Sequence, residues 1–506
     1  MVVGLCAAII RPDPDILLVH RGSDCATAVN NGSRIVQVCR PEYQRTQDPM
    51  TGALLAEALR TDGDLAAAKQ LATQLLATPA RSDALQILGQ IARKERRNDD
   101  ALTALEQARA LHRIEQRPKQ LARDDATLAM IRTARSEFAE ALQLVDECIT
   151  KAQLDGDPSL QCTCHLAAAK ALIRVGYWSA AEQELEIARP LATSDRERSD
   201  LEYQRGSCAQ ERGQDASAIA QFENALRLRK GSPDILWTIN TELNLAYSLA
   251  EKGKIADAQR YFEDATLLDS NHKKEPARTW VAARIAYREH ELLRATSLIE
   301  KYFQLLGGED PDDRDDKIDV ATFGAQVELD KGDLKRAEFW ARRGVEQAEL
   351  VRGTQSTLEL RPWVLAKRRA PYELLFTALA RSHQVEDAAM AFDQWQGRTV
   401  QDALARPRPP ASLDYHSMAD QVTRLSRWLR VASQAAFARA PDRESVLSTM
   451  HGIDLLALIV ANDEVWRLTA NHGPPRLSRL GALADIKELV ADFSGHATNV
   501  ELASRL

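Results

Sequence analysis

The sequence of 506 residues predicts an all-α fold, a right-handed solenoid of about nine helical hairpins that ends in a small α/β fragment. Three observations predict it. Small residues recur at a fixed helical spacing, turn glycines precede them by a constant interval, and only 5% of the residues are aromatic. Small side chains let helices approach closely, so a chain with little aromatic bulk suits helix-on-helix packing.

Alanine follows alanine by seven residues in four segments, and a larger apolar residue lies midway in each. The sets are Ala101, Leu105 and Ala108; Ala181, Leu185 and Ala188; Ala218, Phe222 and Ala225; and Ala258, Phe262 and Ala265. A helix brings positions three, four and seven apart onto one face. Each set therefore predicts the packed face of the second helix of a hairpin.

The first alanine of each such helix sets a register along much of the chain. Its members are Ala68, Ala101, Ala141, Ala181, Ala218, Ala258, Ala295, Ala337 and Ala388. Glycine often lies five residues earlier, at Gly63, Gly176, Gly213, Gly253 and Gly332. Because glycine readily adopts the left-handed conformation that ends a helix, these positions predict the turn inside each hairpin.

These residues resemble the tetratricopeptide repeat, which has Leu-Gly in its first helix and Ala–large–Ala in its second. Two sets fit it: Leu88-Gly89, Ala101, Leu105 and Ala108; and Gly206, Ala218, Phe222 and Ala225. The match covers about residues 50 to 400 and weakens after Ala295, where Tyr302 and Gly344 take the second small position. The resemblance implies a superhelix of paired helices whose concave face binds a protein or peptide, without naming the partner.

Composition excludes several classes of protein. The formal net charge is −7, whereas a bulk nucleic-acid binder is strongly basic. No transmembrane helix is predicted, since no run of about 18 apolar residues occurs, and the apolar N-terminus is a poor signal peptide. We expect a cytoplasmic protein, or one of the cell envelope if the true start lies upstream. No phosphate-binding loop occurs, and no cofactor or metal is expected.

Seven cysteines form an odd and sparse set, so a disulfide framework is not expected. Cys25 and Cys39 flank a strong turn and could meet, although two small buried residues are the simpler interpretation. Cys162 and Cys164 have the wrong spacing for a zinc site and are interpreted as core packing.

Two segments interrupt the repeats. The acidic stretch from Gly307 to Asp316 is interpreted as a solvated insertion, with a cation or partner site as the alternative. Arg406 to Pro410 is rich in proline and ends the helical pattern. We therefore expect an irregular segment over 1–23, the solenoid over 24–405, a proline-rich break over 406–414 and a separate segment over 415–506.

The last hundred residues change periodicity. Asp414 to Arg439 predicts an amphipathic helix. Asp454 to Ala461 is a short apolar run typical of a buried strand, and Glu464 to Ala470 alternates like a second strand. Arg476 to Leu480 could form a third strand, and Leu483 to Phe493 predicts a helix.

This ending resembles the junction and first half of a CHAT domain, a caspase-like protease fold often appended to tetratricopeptide repeats in bacteria. The resemblance rests on Arg368 to Leu375, on Glu386 to Leu404 and on the strand pair just described. It implies a catalytic His-Gly motif and a cysteine nucleophile later in that fold. No cysteine follows Cys208, and His472-Gly473 lies too early, so no catalytic residue is assigned and an enzyme is not expected.

The tetratricopeptide resemblance also implies which residues line the concave face. One row of first-helix residues is Gln90, Lys170, Ser207, Tyr247, Arg284 and Gln326; the row one turn on is Lys94, Arg174, Glu251, Arg288 and Asp330. Their basic members suit an acidic segment or a C-terminal carboxylate. The alternative is a solvated face paired with neighbouring carboxylates. Trp178, Trp237 and Trp280 are interpreted as core rather than as platforms for a ligand.

The candidate partner-binding residues are therefore Gln90, Lys94, Lys170, Arg174, Tyr247, Arg284 and Arg288. We expect an interaction scaffold or sensor that binds a protein or peptide in this groove. The alternative is the sensor part of a repeat-gated, caspase-like CHAT protease whose catalytic half is absent from this chain. The oligomeric state is left open by the sequence.

Overall fold

The computed structural model describes Cys25 and residues 35–231, 234–270, 274–307, 310–355, 360–404, 444, 447–448, 454–471 and 473–487. Four features expected from the sequence lie outside these residues. They are the irregular segment over 1–23, the proline-rich break over 406–414, the helix over 414–439 and His472.

Nine helical hairpins follow one another within the described residues. They pair α2 (Pro49–Thr61) with α3 (Leu65–Leu75), α4 (Arg81–Lys94) with α5 (Asn98–Ile114), α6 (Pro118–Ala134) with α7 (Phe138–Asp155), α8 (Pro158–Val175) with α9 (Trp178–Ala188), α10 (Asp195–Glu211) with α11 (Asp215–Leu228), α12 (Ile235–Glu251) with α13 (Ile255–Leu268), α14 (Glu275–Arg288) with α15 (Leu292–Leu305), α16 (Arg314–Lys331) with α17 (Leu334–Gly353), and α19 (Ala370–Arg381) with α20 (Val385–Leu404). Helix α1 (Ile35–Thr46) precedes them, and α18 (Leu360–Lys367) lies before the last pair. The expected all-α architecture of hairpin repeats is confirmed.

The alanine register is confirmed as the packed seam of the hairpins. All nine register alanines lie in second helices and are completely buried. The residue five positions earlier has a positive φ, between 58° and 94°, in every hairpin. Five of these residues are the expected glycines, and the other four are Arg96, Ser136, His290 and His383. All nine hairpins therefore share the turn conformation, including the four that have no glycine at this position.

The turn itself is closed by a six-residue hydrogen bond. The N–H of the residue after the positive-φ position donates to the carbonyl five residues earlier, as from Asp64 to Leu59 at 3.0 Å. That arrangement satisfies the last carbonyls of the first helix. Where the next residue is aspartate, its carboxylate also caps the second helix: Asp64 accepts from the Ala67 N–H at 3.1 Å.

Glycines in the first helices leave room for the large residue of the second. A methyl group on Gly89 would lie 2.5 Å from Leu105 Cγ, and one on Gly206 would lie 2.7 Å from Phe222 Cε1. Gly324 stands in the same relation to the indole of Trp340, at 2.9 Å. These close approaches are what the paired small and large residues predicted.

Contacts divide the chain into two compact units, and each is considered separately below. The first comprises Met1–Thr133, Glu140–Leu172 and Trp178–Thr241, and the second comprises Ala134–Ala139, Ile173–Tyr177 and Glu242–Leu506.

Two disulfides lie in the first unit, contrary to the expectation from the cysteine count. Cys25 is bonded to Cys39, and Cys148 on α7 is bonded to Cys164 on α8. Cys162 and Cys208 are buried free thiols. The sequence interpretation of Cys164 as simple core packing is wrong because its partner lies in the preceding helix, 16 residues away, and no spacing rule reveals that pairing.

The acidic stretch between α15 and α16 is not simply a solvated insertion. Asp313 and Asp315 are 7% and 5% exposed. Within the second unit the Asp315 carboxylate accepts from Arg174 at 2.7 Å and from Arg368 at 2.6 Å. Burial alone would raise the pKa of Asp315, but these guanidinium groups outweigh it and hold the pKa well below its ordinary value.

A three-stranded antiparallel sheet follows the repeats, with strands in the order β1 (Asp454–Ala461), β2 (Glu464–Asn471) and β3 (Arg476–Ala482). The two residues of the β1–β2 turn, Asn462 and Asp463, both have positive φ, as a tight hairpin requires. The predicted strands are confirmed, and residues 483–487 begin the predicted helix.

The environment of β1 differs from the expectation. Leu456 and Leu458 are 70% and 66% exposed, whereas Ile459 is buried, so this strand buries one face only. The buried face of the sheet packs on the last hairpin, where Trp466 of β2 meets Phe376 of α19 edge to face at 6.2 Å.

Candidate binding surface of the first helices

The predicted groove residues of the second unit converge on one carboxylate. Arg284 on α14 donates from Nε to Oε1 of Glu251 on α12 at 2.7 Å. Arg288, one turn along α14, pairs with the other oxygen of the same carboxylate. Glu251 thus holds both arginines, and its side chain is only 11% exposed.

Aromatic rings surround the Arg284 guanidinium. Its central carbon lies 4.1 Å from the ring centre of Phe323 and 5.2 Å from that of Tyr247. The ring of Trp280 lies 5.5 Å away and stacks on Tyr247, with 6.4 Å between centres. We call Tyr247, Glu251, Trp280, Arg284 and Phe323 the aromatic–arginine patch.

Trp280 is half-buried. It packs against Tyr302 and Phe323 and also borders this surface, so its interpretation as core stays a prediction. In the first unit Trp237 is also half-buried, beneath Arg229 at 4.4 Å. Flat rings beside guanidinium groups are stabilised by cation–π attraction, which a sequence pattern of apolar spacing cannot reveal.

The one cation of the patch, Arg284, is paired with the carboxylate of Glu251. Burial would lower the pKa of Arg284, but Tyr247 and Glu251 outweigh it and raise the pKa above its ordinary value. Asp330, of the second predicted row, accepts from the Tyr287 hydroxyl at 2.6 Å and from Gln326 at 3.0 Å. Burial and Asp330 together raise the pKa of Tyr287 to about 12. In this unit the row therefore follows the alternative given above, a face paired with its own carboxylates.

A second group of charges lies on first helices of the first unit. Lys94, at the end of α4, donates to Asp234 at 3.3 Å, just before α12. On α2, Arg60 makes a two-point contact with Glu57, at 2.7 Å and 2.6 Å. With Arg93 these residues form what we call the first-helix cluster: Glu57, Arg60, Arg93, Lys94 and Asp234.

Arg93 differs from the other cations of the first-helix cluster. Its side chain is half-buried and its Nε atom is enclosed, yet no acceptor reaches that atom, and no carboxylate of the described residues pairs with the side chain. Burial and the nearby Arg60 guanidinium lower the pKa of Arg93 to about 10. The group remains charged at neutral pH, so a half-buried cation lies near another cation and has no counter-ion among the described residues.

The surroundings add further positive charge. Burial would raise the pKa of Glu57, but Arg60, Arg123 and Arg196 outweigh it and lower the pKa. Burial also lowers the pKa of Lys94, against the opposing effect of Asp234. Three cations and two carboxylates make up the first-helix cluster itself, and exposed arginines on α6 and α10 extend it. The electrostatic balance therefore favours an added anion.

The remaining predicted residues have separate environments. Gln90 is half-buried on α4, two turns into the first unit's second hairpin. Lys170 is half-buried on α8, and Arg174 pairs with Asp315 in the second unit. The Ser207 hydroxyl donates to the Tyr203 carbonyl at 3.0 Å. The structure thus brings together Tyr247, Arg284 and Arg288, but it does not join them to these residues.

Sequence reasoning missed Arg60 and Arg93, although a signal was present. Both lie eight residues before the register alanine of their hairpin, Ala68 and Ala101 respectively. The same alignment places Glu57 in the Gln90 row. The rows derived from the resemblance began at the second hairpin, so they omitted Arg60. They also used Lys94 rather than the preceding residue, so they omitted Arg93.

No group of three or more His, Cys, Asp or Glu side chains among the described residues could hold a metal ion. Burial raises the pKa of the Cys162 thiol to about 12 and that of Cys208 to about 11, which keeps both in the unreactive protonated form. Nor does any described helix have the length and apolar character needed to cross a membrane.

Comparisons with known proteins identify no family and give distant structural similarities. No protein family matches the chain, and no curated protein is similar to it in sequence. Among solved structures, apo RapI is 14% identical with a TM-score of 0.42, over 54% of this chain and 99% of that one. NprR in complex with its cognate peptide NprX is 14% identical with a TM-score of 0.44, over 56% and 88%.

A tetratricopeptide repeat protein from Parabacteroides merdae is 15% identical, with a TM-score of 0.26, over 63% of this chain and 99% of that one. At such identities the similarity concerns the fold alone.

Proposed function

We propose that this chain is a scaffold that binds a partner protein or peptide, and that the first-helix cluster takes an acidic segment of that partner. The observation that carries the proposal is Arg93, a half-buried cation with an enclosed Nε atom and no acceptor among the described residues. A partner carboxylate would supply the missing counter-ion.

Burying a charge without a partner is costly, and the cost falls when a hydrogen-bonding counter-ion arrives. Guanidinium groups suit carboxylates because their N–H donors match both oxygens at once. Arg60 already uses its donors in this way on Glu57, which leaves Arg93 as the cation with capacity to spare. The free protein therefore holds a destabilised charge that binding would satisfy.

The aromatic–arginine patch supports the same general function with different chemistry. Its one cation, Arg284, pairs with Glu251, so it offers ring faces and hydrogen bonds rather than net charge. Aromatic and arginine side chains are over-represented where proteins bind one another. We expect the patch to contribute packing contacts and the first-helix cluster to select for acidity.

Site-specific photo-crosslinking tests the proposal in the native host. A benzophenone amino acid at position 90, beside Arg93 on α4, should crosslink a partner whose attached segment is rich in aspartate and glutamate. The matched control carries the same group at Arg260, which is exposed on a second helix. Crosslinks to basic segments, or none above the control, would contradict the proposal.

The alternative is a sensor for a caspase-like protease of the CHAT type. The observation in its favour is the sheet, because Trp466 and Glu464 on β2 contact Phe376 and Arg381 of the last hairpin. A change in the repeats would reach the sheet through these contacts. Reading the gene beyond the codon for Leu506 tests it: a His-Gly and Ser-Ala-Cys frame would favour the protease, and an unrelated gene would favour the scaffold.

A further inference from the structure

A groove of about 450 Å³ lies between α15 and α17, on the second helices of the second unit. We call it the aromatic groove and define it by Phe303, Lys335, Phe339, Trp340 and Arg343. None of these residues belongs to the first-helix rows, and neither the aromatic–arginine patch nor the first-helix cluster includes them.

Three rings form the floor and walls of the aromatic groove. Phe303 meets Trp340 edge to face at 5.3 Å, and Phe339 meets the same indole edge to face at 5.5 Å. Trp340 is buried against Gly324, which fixes the floor in place. Edge-to-face contacts of this kind stabilise the arrangement of the three rings.

The apolar wall is open to solvent. Phe339 is 49% exposed although it lies directly beside a buried tryptophan. A large ring exposed next to a concave apolar surface is typical of a binding site rather than of an ordinary helix face. Covering this ring would bury apolar area that the free chain leaves in water.

The rim of the groove carries cations without carboxylate partners. The Arg343 guanidinium lies 4.5 Å from the Phe339 ring and 5.1 Å from the Phe303 ring. No described carboxylate pairs with Arg343 or with exposed Lys335. Arg336 behaves differently, since it pairs with Glu328 at 3.2 Å and with Glu300. The rim therefore has two positive charges in excess.

The spacing of these groups defines the length of the occupant. Lys335, Phe339 and Arg343 are four residues apart in succession, so they lie along one face of α17 over about 12 Å. An extended peptide covers that distance with about four residues. A ring contact flanked by a cation on each side is complementary to an apolar side chain flanked by carboxylates.

We propose that the aromatic groove binds an acidic peptide segment of a partner protein, with one large apolar side chain seated against the exposed ring of Phe339. Carboxylates on either side of that side chain pair with Arg343 and Lys335. This surface is additional to the first-helix cluster, and the two recognise separate segments.

Fluorescence polarisation with three dye-labelled pentapeptides tests the proposal on the full chain. The first has phenylalanine between two glutamates on each side, the second has serine in place of phenylalanine, and the third has lysines in place of glutamates. We expect binding of the first only. Phe339→Ser and Arg343→Glu should each weaken it at least about tenfold, through lost ring contact and reversed charge respectively.

The matched control is Leu293→Ser, which removes another exposed apolar side chain from α15, 79% exposed and outside the groove. It should leave binding unchanged. Circular dichroism should show the same melting curve for Phe339→Ser and the parent. Equal binding of the serine peptide, or binding unaffected by Phe339→Ser, would overturn the proposal. So would loss of a self-associated form in sedimentation with Phe339→Ser, which would make a second copy the occupant.

Discussion

The first-helix cluster and the aromatic–arginine patch lie at equivalent positions of the repeat, but their charges are paired differently. Lys94 and Arg288 both lie seven residues before their register alanine. In the second unit the equivalent position of the preceding hairpin is Glu251, which pairs with both Arg288 and Arg284. In the first unit the preceding hairpin has Thr61 there, and Lys94 pairs instead with Asp234, 140 residues later. Arg93, one position before Lys94, has no acceptor for its Nε atom among the described residues.

The two units differ in covalent stabilisation as well. Both described disulfides lie in the first unit. No cysteine falls within the ranges of the second unit, so its repeats rely on packing and ion pairs alone. The unit with the unsatisfied cation is therefore also the cross-linked one.

The largest expected effect is that of reduction on the first unit. Closed loops of 14 and 16 residues stabilise by about 3 kcal/mol each in the chain-entropy account. Hydrogen exchange with and without dithiothreitol should show faster exchange in α6 to α8 and around α1, with α14 to α17 unchanged. A parallel effect in both units would contradict the difference proposed here.

Thiol counting supplies the control for that measurement. In the unfolded, unreduced chain a maleimide should modify Cys6, Cys162 and Cys208 and spare the other four cysteines. Disulfides persist mainly in oxidising compartments, so the same pattern after trapping in intact cells would favour the cell envelope over the cytoplasm. Seven modified cysteines would remove the covalent part of the comparison.

The second effect concerns the ion pairs that Glu251 makes with Arg284 and Arg288. Glu251→Gln leaves Arg284 and Arg288 without their carboxylate, and the Arg284 side chain is only 16% exposed. We expect a loss of about 2–3 kcal/mol in the unfolding free energy of the second unit, because breaking one side of a buried pair strands the other charge. Asp257→Asn, which breaks an exposed pair with Arg260, should cost under about 0.5 kcal/mol. Equal losses would show that burial does not distinguish them.

The fold was accessible from the sequence because it depends on local spacing. Gly332 marks the turn, and Ala337, five residues later, marks the buried face of the second helix. Every hairpin repeats this interval. Even Arg96 and His290, which lack the glycine, follow it, since the register alanine and the six-residue hydrogen bond fix the turn. The strands around Asn462 and Asp463 were accessible for the same reason.

The surfaces were less accessible because they depend on pairs far apart in the chain. Lys94 meets Asp234, 140 residues later, and Asp315 meets Arg174 across a similar distance. The register places a residue on a helix face, but it does not say which charge the neighbouring face supplies. The predicted rows included Glu251 together with Arg284 and Arg288, but the sequence did not say that one carboxylate would meet both arginines.

Substitution of Arg93, which has no described counter-ion, should change the unfolding free energy less and in the opposite direction. Arg93→Met keeps the length of the side chain and removes the unpaired charge, so it should stabilise the first unit by about 1 kcal/mol. The same change should weaken binding of an acidic partner. Arg284→Met should instead destabilise the second unit, because it leaves part of Glu251 unpaired. Urea unfolding of both variants measures the contrast, and a loss of stability with Arg93→Met would show that the guanidinium is satisfied in the free chain.

A pH dependence is also expected within the second unit. Burial, with a minor contribution from Asp264, raises the pKa of Glu242 from 4.5 to about 7. Below the unfolded pKa both states hold the proton and nothing is lost. Between the two values the unfolded chain ionises first, so stability falls as pH rises, and above the folded pKa the loss is complete. Glu242→Gln should therefore raise the melting temperature at pH 8 and leave it unchanged at pH 4. A gain of equal size at both pH values would mean that packing, not ionisation, accounts for it.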